Sequence, residues 1–250
     1  LIYAIGDIHG QVTMLRALLE HLRTRPLREN DTLVFLGDYV DRGEDSCAVI
    51  ETLIQFRKEH GNTVLLRGNH EQLMLDARDS DASRPGPDGF ITHSSETNHW
   101  LENGGADTLI SYNVDDFLNW RDRIPGSHWE FIETTEMEYL TERYHFVHAG
   151  LLPAGKSWEG AIYGLEPRLW IREPFLSYRP TIDGRVVVFG HTPQRTGRPL
   201  LQRNKIGLDT GAVFGGPLTA AIINPDVPIG KQPRPEFIQV VYDTADGMDR

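Results

Sequence analysis

Within the first 80 residues one pattern recurs three times, and that repetition restricts the chain to few folds. A short apolar run rich in β-formers passes straight into a glycine-containing polar cluster, after which apolar residues return at helical spacing. Leu1 to Ile5 leads into GDIHG, followed by Leu15, Leu18, Leu19 and Leu22 on one helical face. Thr32 to Leu36 leads into GDYVDRG and a helix over 48–56. Thr63 to Leu66 leads into RGNHE and a helix over 72–77. Three strand-then-helix units predict an α/β sheet with parallel strands and helices packed on it. Ligands of such sheets gather beyond the carboxyl ends of the strands, which is where each polar cluster falls.

The rest of the chain changes character. From Asp79 to Asn98 the sequence is rich in Ser, Asp, Pro and Gly with almost no apolar period, so an exposed loop or insertion is expected, a candidate flap over a substrate. Trp100 to Arg123 and Ser127 to Glu133 carry helical patterns, a small helical segment over 100–134 interrupted at Pro125 and Gly126. Short β-rich runs follow at Met137–Leu140, His145–His148, Arg185–Phe189, Lys205–Asp209, Leu218–Ile223 and Phe237–Tyr242. No repeat and no second core is visible, which predicts a single domain over 1–250 with a Pro-rich crossing before the last strand.

Composition removes several classes of function. The longest nearly apolar stretch, Ala212 to Ile223, is far shorter than the roughly 18–20 residues that cross a bilayer, so no membrane partner is expected. The first residues read as a strand rather than as a secretion leader. With 25 basic against 36 acidic side chains the net charge is −11, which gives no global attraction to nucleic acid. An anionic substrate has to be drawn by a local positive site. Cys47 stands alone and cannot form an intramolecular disulfide, so a reducing compartment, the cytoplasm, is expected.

Five clusters end or follow strands: Asp7 with His9; Asp38 with Asp41 and Arg42; Arg67 with Asn69 and His70; His148; and His191. Carboxylate, imidazole and amide groups converging at strand ends suit two divalent ions with mixed oxygen and nitrogen ligands. Two cations about 3.5–4 Å apart repel unless anionic oxygen lies between them, so one carboxylate has to bridge. Simpler readings exist for single residues. Asp7 and Asp38 fit helix caps, and Asp41 with Arg42 fits a surface ion pair, but neither explains His9, Asn69 or His148. His21, His60, His93, His99, His128 and His145 have no partner at ligand spacing and read as surface or packing residues.

GDIHG, GDYVDRG, LRGNHE, FVHAG and FGHT, in that order, resemble the signature set of the calcineurin-like metallophosphoesterases, in the bacterial style of the phosphoprotein phosphatase branch. The resemblance runs from Ile2 to about Thr219. It implies a four-layer αββα sandwich with two mixed β-sheets flanked by helices. By the same resemblance Asp7, His9 and Asp38 hold a first metal, and Asp38 bridges to a second completed by Asn69, His148 and His191. Manganese is the first expectation, with iron, zinc and magnesium accepted by the same ligands. His70 becomes the general acid, oriented by Asp41, while Arg42 and Arg67 grip the phosphate. Arg172, in LWIREPF, matches a further phosphate-binding arginine more loosely and also fits a solvated helix end. The implied mechanism is in-line attack on phosphorus by a hydroxide bridging the two ions.

The substrate expected from this resemblance is a phosphoprotein or a small phosphoester, with a serine/threonine protein phosphatase ahead of a symmetrical dinucleoside tetraphosphate hydrolase. Relatives of the second kind usually show GNHD and lack the Asp of VDRG, whereas this chain has Glu71 and Asp41. One rival belongs to another class. GLLPAGKS, residues 150–157, satisfies the phosphate-loop pattern of NTPases, although Trp158 to Gly164 makes a poor following helix. A catalytically dead phosphoprotein-binding module would lack a ligand or His70, and none is missing. A cysteine-based phosphatase needs Arg six residues after Cys47, where Leu53 stands.

Overall fold

A computed structural model describes residues 1–25, 27–80, 84–85, 91–115, 118–227 and 235–242. β1 (Ile2–Ile5), α1 (Val12–Arg23), β2 (Thr32–Phe35), α2 (Ser46–Glu59), β3 (Thr63–Leu65) and α3 (Asn69–Asp79) realise the threefold pattern. The strands are adjacent and parallel, Ile2 pairing with Thr32 and Leu33 with Thr63. α1 forms because Val12, Leu15, Leu18, Leu19 and Leu22 make one buried apolar stripe. Asp45 starts α2 by accepting the Ala48 amide at 2.8 Å. α3 begins at Asn69, three residues before the sequence expectation, because Glu71 reaches back to the Gly68 amide and closes the first turn.

The middle of the chain is more ordered than its composition suggests. β4 (Arg84–Pro85) pairs with β5 (Ile91–Thr92), and α4 (Ser95–Trp100) starts within the stretch expected to be loop. Ser94 supplies the cap, its Oγ accepting the Thr97 amide at 3.0 Å. Residues 81–83 and 86–90 of that stretch lie outside the described residues. A π-helical turn (Leu101–Gly105) leads into α5 (Ala106–Ser111), then α6 (Trp120–Arg123) and α7 (Gly126–Glu133). The expected run from Trp100 to Arg123 is therefore broken, at Gly104 (φ 107°) and at Asn113 (φ 53°).

The second half supplies β6 (Glu138–Leu140), β7 (Tyr144–Val147), α8 (Pro167–Trp170), β8 (Val186–Phe189), β9 (Leu200–Leu201), β10 (Lys205–Gly207), β11 (Leu218–Ile223) and β12 (Glu236–Val240). Two five-stranded mixed sheets result, in the orders β12-β11-β1-β2-β3 and β6-β7-β8-β10-β9. Strand alternation divides the apolar residues among layers. Ile2, Ala4, Val34 and Leu36 pack with Tyr144, Phe146, Val186 and Val188 between the sheets. Tyr3, Ile5, Leu33 and Phe35 face α1 and α2 on the outside. The outer face of the second sheet, through Val147, Val187 and Phe189, is covered by Ile171 and Phe175 just after α8. The flanking layer on that side is thus thin and mostly turn. Among the described residues no helix is long and apolar enough to cross a membrane.

Candidate functional site

β1, β2 and β3 run parallel in one sheet, and β7, β8 and β10 in the other. Their carboxyl ends deliver Asp7, Asp38, Asn69, His148, His191 and Asp209 to one cleft, where all six are buried. Non-glycine residues with φ near +60° are uncommon and cluster where a site dictates the backbone. Among the described residues seven other than glycine have positive φ, and five of them are His9, Asp38, Asp41, Arg42 and His191. The sheets meet closely here: a Cβ on Gly190 would overlap Asp7 Oδ1.

Two donor groups share one carboxylate. His9, Asp38 and His70 form one, and Asp38, His148 and His191 the other. Asp38 Oδ2 lies 3.3 Å from His9 Nε2, and Asp38 Oδ1 lies 3.4 Å from His148 Nε2. Asn69 Oδ1 is 3.0 Å from His148 Nε2 and 2.9 Å from His191 Nδ1. His148 Nδ1 faces the Leu36 carbonyl at 2.8 Å, and His9 Nδ1 faces the Val40 carbonyl at 2.9 Å. A carbonyl only accepts, so each proton is assigned to Nδ1 and each Nε2 turns a lone pair toward oxygen.

Burial lowers His148 below the usual imidazole value and His191 well below it, so both rings stay neutral donors to a cation. Asp7 Oδ1 and His191 Nε2 are buried without a hydrogen-bond partner among the described residues. Lone pairs facing one another at 2.9–3.4 Å match the spacing of about 3 Å between adjacent ligands on an ion bound at about 2.1 Å. The residues present fit two cations with Asp38 between them.

Burial pushes Asp7 well above the usual carboxylate range, reinforced by the charges of Asp209 and Asp38. Burial acts on Asp38 in the same direction, but His148, His70 and His9 outweigh it and hold that carboxyl well below its usual value. Burial alone would lower His9, yet its contact with Asp38 raises it.

His70 Nδ1 lies 2.7 Å from Asp41 Oδ2, leaving Nε2 toward the cleft. Arg42 Nη1 stands 3.2 Å from His9 Nε2 at one end of the cluster, and Arg172 Nη2 donates to the His191 carbonyl at 3.2 Å at the other. Arg67 is not brought to the cleft. Its guanidinium donates to Thr135 Oγ1, Gln72 Oε1 and the Glu133 carbonyl, so it ties α3 to the end of α7 instead of gripping phosphate. Residues 150–157 form an irregular loop followed by one 3₁₀ turn, Glu159–Tyr163, so no helix start cradles a phosphate there. His128 and His145, read as surface or packing residues, are buried packing residues, bonded to Tyr112 and Glu51 and to Glu138 and Asp183 respectively.

Several residues escaped the sequence reading. Glu71 accepts the amides of Asp38, Tyr39, Val40 and Gly68 and so holds the loop that presents Asp38. Burial and the Asp38 charge push it up to about 7. Trp100 and Thr108 donate to Asp41, and the Gly104 carbonyl accepts the Arg42 amide at 3.3 Å. Asp209 was legible, being an acid just past the end of a parallel strand like Asp7 and Asp38. Trp100 and Thr108 carried no such signal, since only the fold brings α4 and α5 under the second cluster.

A family model described as calcineurin-like phosphoesterase matches residues 1–216. The chain belongs to the calcineurin-like phosphoesterase family. Among relatives of this phosphoesterase, serine/threonine-protein phosphatase 1 of Salmonella typhimurium is 33% identical over 234 residues, covering 89% of this chain and 91% of that protein. The crystal structure of a candidate diadenosine tetraphosphatase superposes with a TM-score of 0.56 at 22% identity, over 96% of this chain and 92% of the other. A metallophosphoesterase from Sphaerobacter thermophilus gives a TM-score of 0.53 at 19% identity, over 98% and 89%. These two likenesses establish the shared four-layer phosphoesterase fold.

Proposed function

We propose that this phosphoesterase removes phosphate from phosphoserine and phosphothreonine residues of proteins. The observation that carries the reading is the Asp41–His70 pair, at 2.7 Å, beside an Asp38 carboxylate that faces His9 with one oxygen and His148 with the other. The 33% identity to the Salmonella protein phosphatase over nearly the whole chain supports the same substrate class. Asp7, His9 and Asp38 would hold one ion, and Asp38, Asn69, His148 and His191 the other, with manganese the first candidate. Such ions supply charge neutralisation and a water acidic enough to attack at neutral pH.

The chain's own residues do the rest. Arg42 and Arg172 approach the cluster from opposite ends and orient the phosphoryl oxygens. Asp41 holds the Nδ1 proton of His70, so that Nε2 delivers its proton to the departing serine or threonine oxygen. A positioned acid contributes roughly 10² to 10⁴ in rate, which leaves charge stabilisation the larger share. No side-chain nucleophile is needed, and Cys47, whose thiol burial pushes up, is not suited to be one.

The test is a panel assay with added manganese, comparing phosphoserine, phosphothreonine and phosphotyrosine peptides with diadenosine tetraphosphate. Preference for phosphoserine and phosphothreonine peptides is expected. Faster turnover of the dinucleotide would overturn the protein-phosphatase reading in favour of a nucleotide phosphoesterase.

A further inference from the structure

A groove of about 770 Å³ opens beside the cleft, within the size range of ligand pockets. One wall begins at Thr192, next to His191, and the other at Thr210, next to Asp209. Its lip carries Phe214, 66% exposed, and the Arg42 guanidinium lies 6.0 Å from the centroid of that ring. The groove therefore continues directly from the place where Arg42 meets phosphate. Beside His191 the Thr192 hydroxyl is buried without a partner among the described residues.

Its charge is one-sided. Among the described residues of the lining, Arg195 is the single charged side chain and none is a carboxylate, in a chain whose net charge is −11. Arg195 is exposed. No described carboxylate pairs with it, whereas Arg78, Arg168 and Arg185 are held by Glu133, Glu166 and Asp183. A guanidinium with no ion-pair partner among the described residues, flanked by Gln194 and Thr196, is matched to a carboxylate, which it can take with two parallel hydrogen bonds.

We propose that this groove receives the peptide segment next to the phosphorylated residue and selects an acidic side chain there through Arg195. The inference rests on the protein-phosphatase reading and names the substrates that reading leaves open. Arg42, shared between the cleft and the Phe214 ring, links the phosphate to the flanking side chain.

The experiment uses three phosphoserine peptides, identical except for Glu, Ala or Lys flanking the phosphoserine, assayed with the manganese-loaded enzyme. The expected order of kcat/KM is Glu, then Ala, then Lys, with about a tenfold span at low salt, the value of one well-placed charge-assisted contact. The span should shrink as ionic strength rises. Arg195→Glu should invert the Glu-to-Lys ratio, a readout that a general loss of activity leaves untouched. Turnover of all three peptides at equal kcat/KM, or an unaltered ratio in Arg195→Glu, would overturn this inference and leave the protein-phosphatase reading standing. Hydrolysis of p-nitrophenyl phosphate or diadenosine tetraphosphate with none of the peptides would overturn both.

Discussion

Trp100 Nε1 lies 3.1 Å from each carboxylate oxygen of Asp41, and the indole is completely buried. Thr108 Oγ1 donates to the same carboxylate at 2.6 Å. Asp41 is therefore held by Trp100 and Thr108 as well as by His70, and α4 and α5 scaffold the residue proposed to orient the proton donor. A general acid works only when its hydrogen-bond geometry is fixed, and if His70 is that acid, α4 and α5 fix it at one remove.

His70→Asn is expected to lower kcat by roughly 10² to 10⁴ for alkyl phosphates and by much less for aryl phosphates, whose leaving oxygens need little protonation. Trp100→Phe, which keeps most of the packing but removes the donor, should lower kcat about tenfold with the same dependence on leaving group and with KM little changed. Plots of log kcat against leaving-group pKa check both. Equal losses across leaving groups would argue against the proton-donor role.

Glu71 receives four backbone amides, from Asp38, Tyr39, Val40 and Gly68. In Glu71→Gln an amide nitrogen must face some of these donors, so two hydrogen bonds are lost and two N–H groups are left buried. The expected cost is about 2–4 kcal/mol of stability, together with weaker metal retention because the Asp38 loop loosens. Denaturant titration and metal analysis after gel filtration read the two effects separately. A variant of unchanged stability would contradict the role assigned to this carboxylate.

Burial pushes Asp209 up to about 6. Below about pH 3 the group is protonated whether the chain is folded or not. Between about pH 4 and 6 the native, metal-free chain keeps a proton that the unfolded chain has released, so this group's contribution to stability falls as pH rises. His148 and His191, lowered by burial, act with the opposite sign below about pH 6.5. Comparison with Asp209→Asn cancels most of their effect, while Asp7, held up in part by the Asp209 charge, is relieved in the variant and adds to the difference with the same sign. The stability of metal-stripped wild type relative to Asp209→Asn should drop by about 2 kcal/mol from pH 4 to pH 7, measured by urea unfolding. A difference independent of pH would mean that Asp209 is not proton-loaded in the native state.

The first sheet and most of the cluster were legible because their causes are local. Three apolar runs, each followed by Asp, His or Asn beside glycine, specify parallel strands with polar residues at their ends. The remaining features depend on contacts distant in sequence. Arg67 reads as a phosphate ligand from its place in RGNHE, yet Thr135, Gln72 and the Glu133 carbonyl claim its guanidinium. Ser94 starts a helix inside a stretch whose composition reads as loop. Trp100 carries no sign that its indole ends on Asp41, because 59 residues separate the two and only the packing of α4 against α3 closes that distance.

The central claim is that Asp38 joins two ions, and anomalous diffraction at the manganese edge from crystals grown with Mn²⁺ tests it most directly. Two anomalous peaks about 3.5–4 Å apart, with the Asp38 carboxylate between them and His9 and His148 on opposite sides, are the predicted result. A single peak away from Asp38, or no peak among these side chains at saturating Mn²⁺, would contradict it.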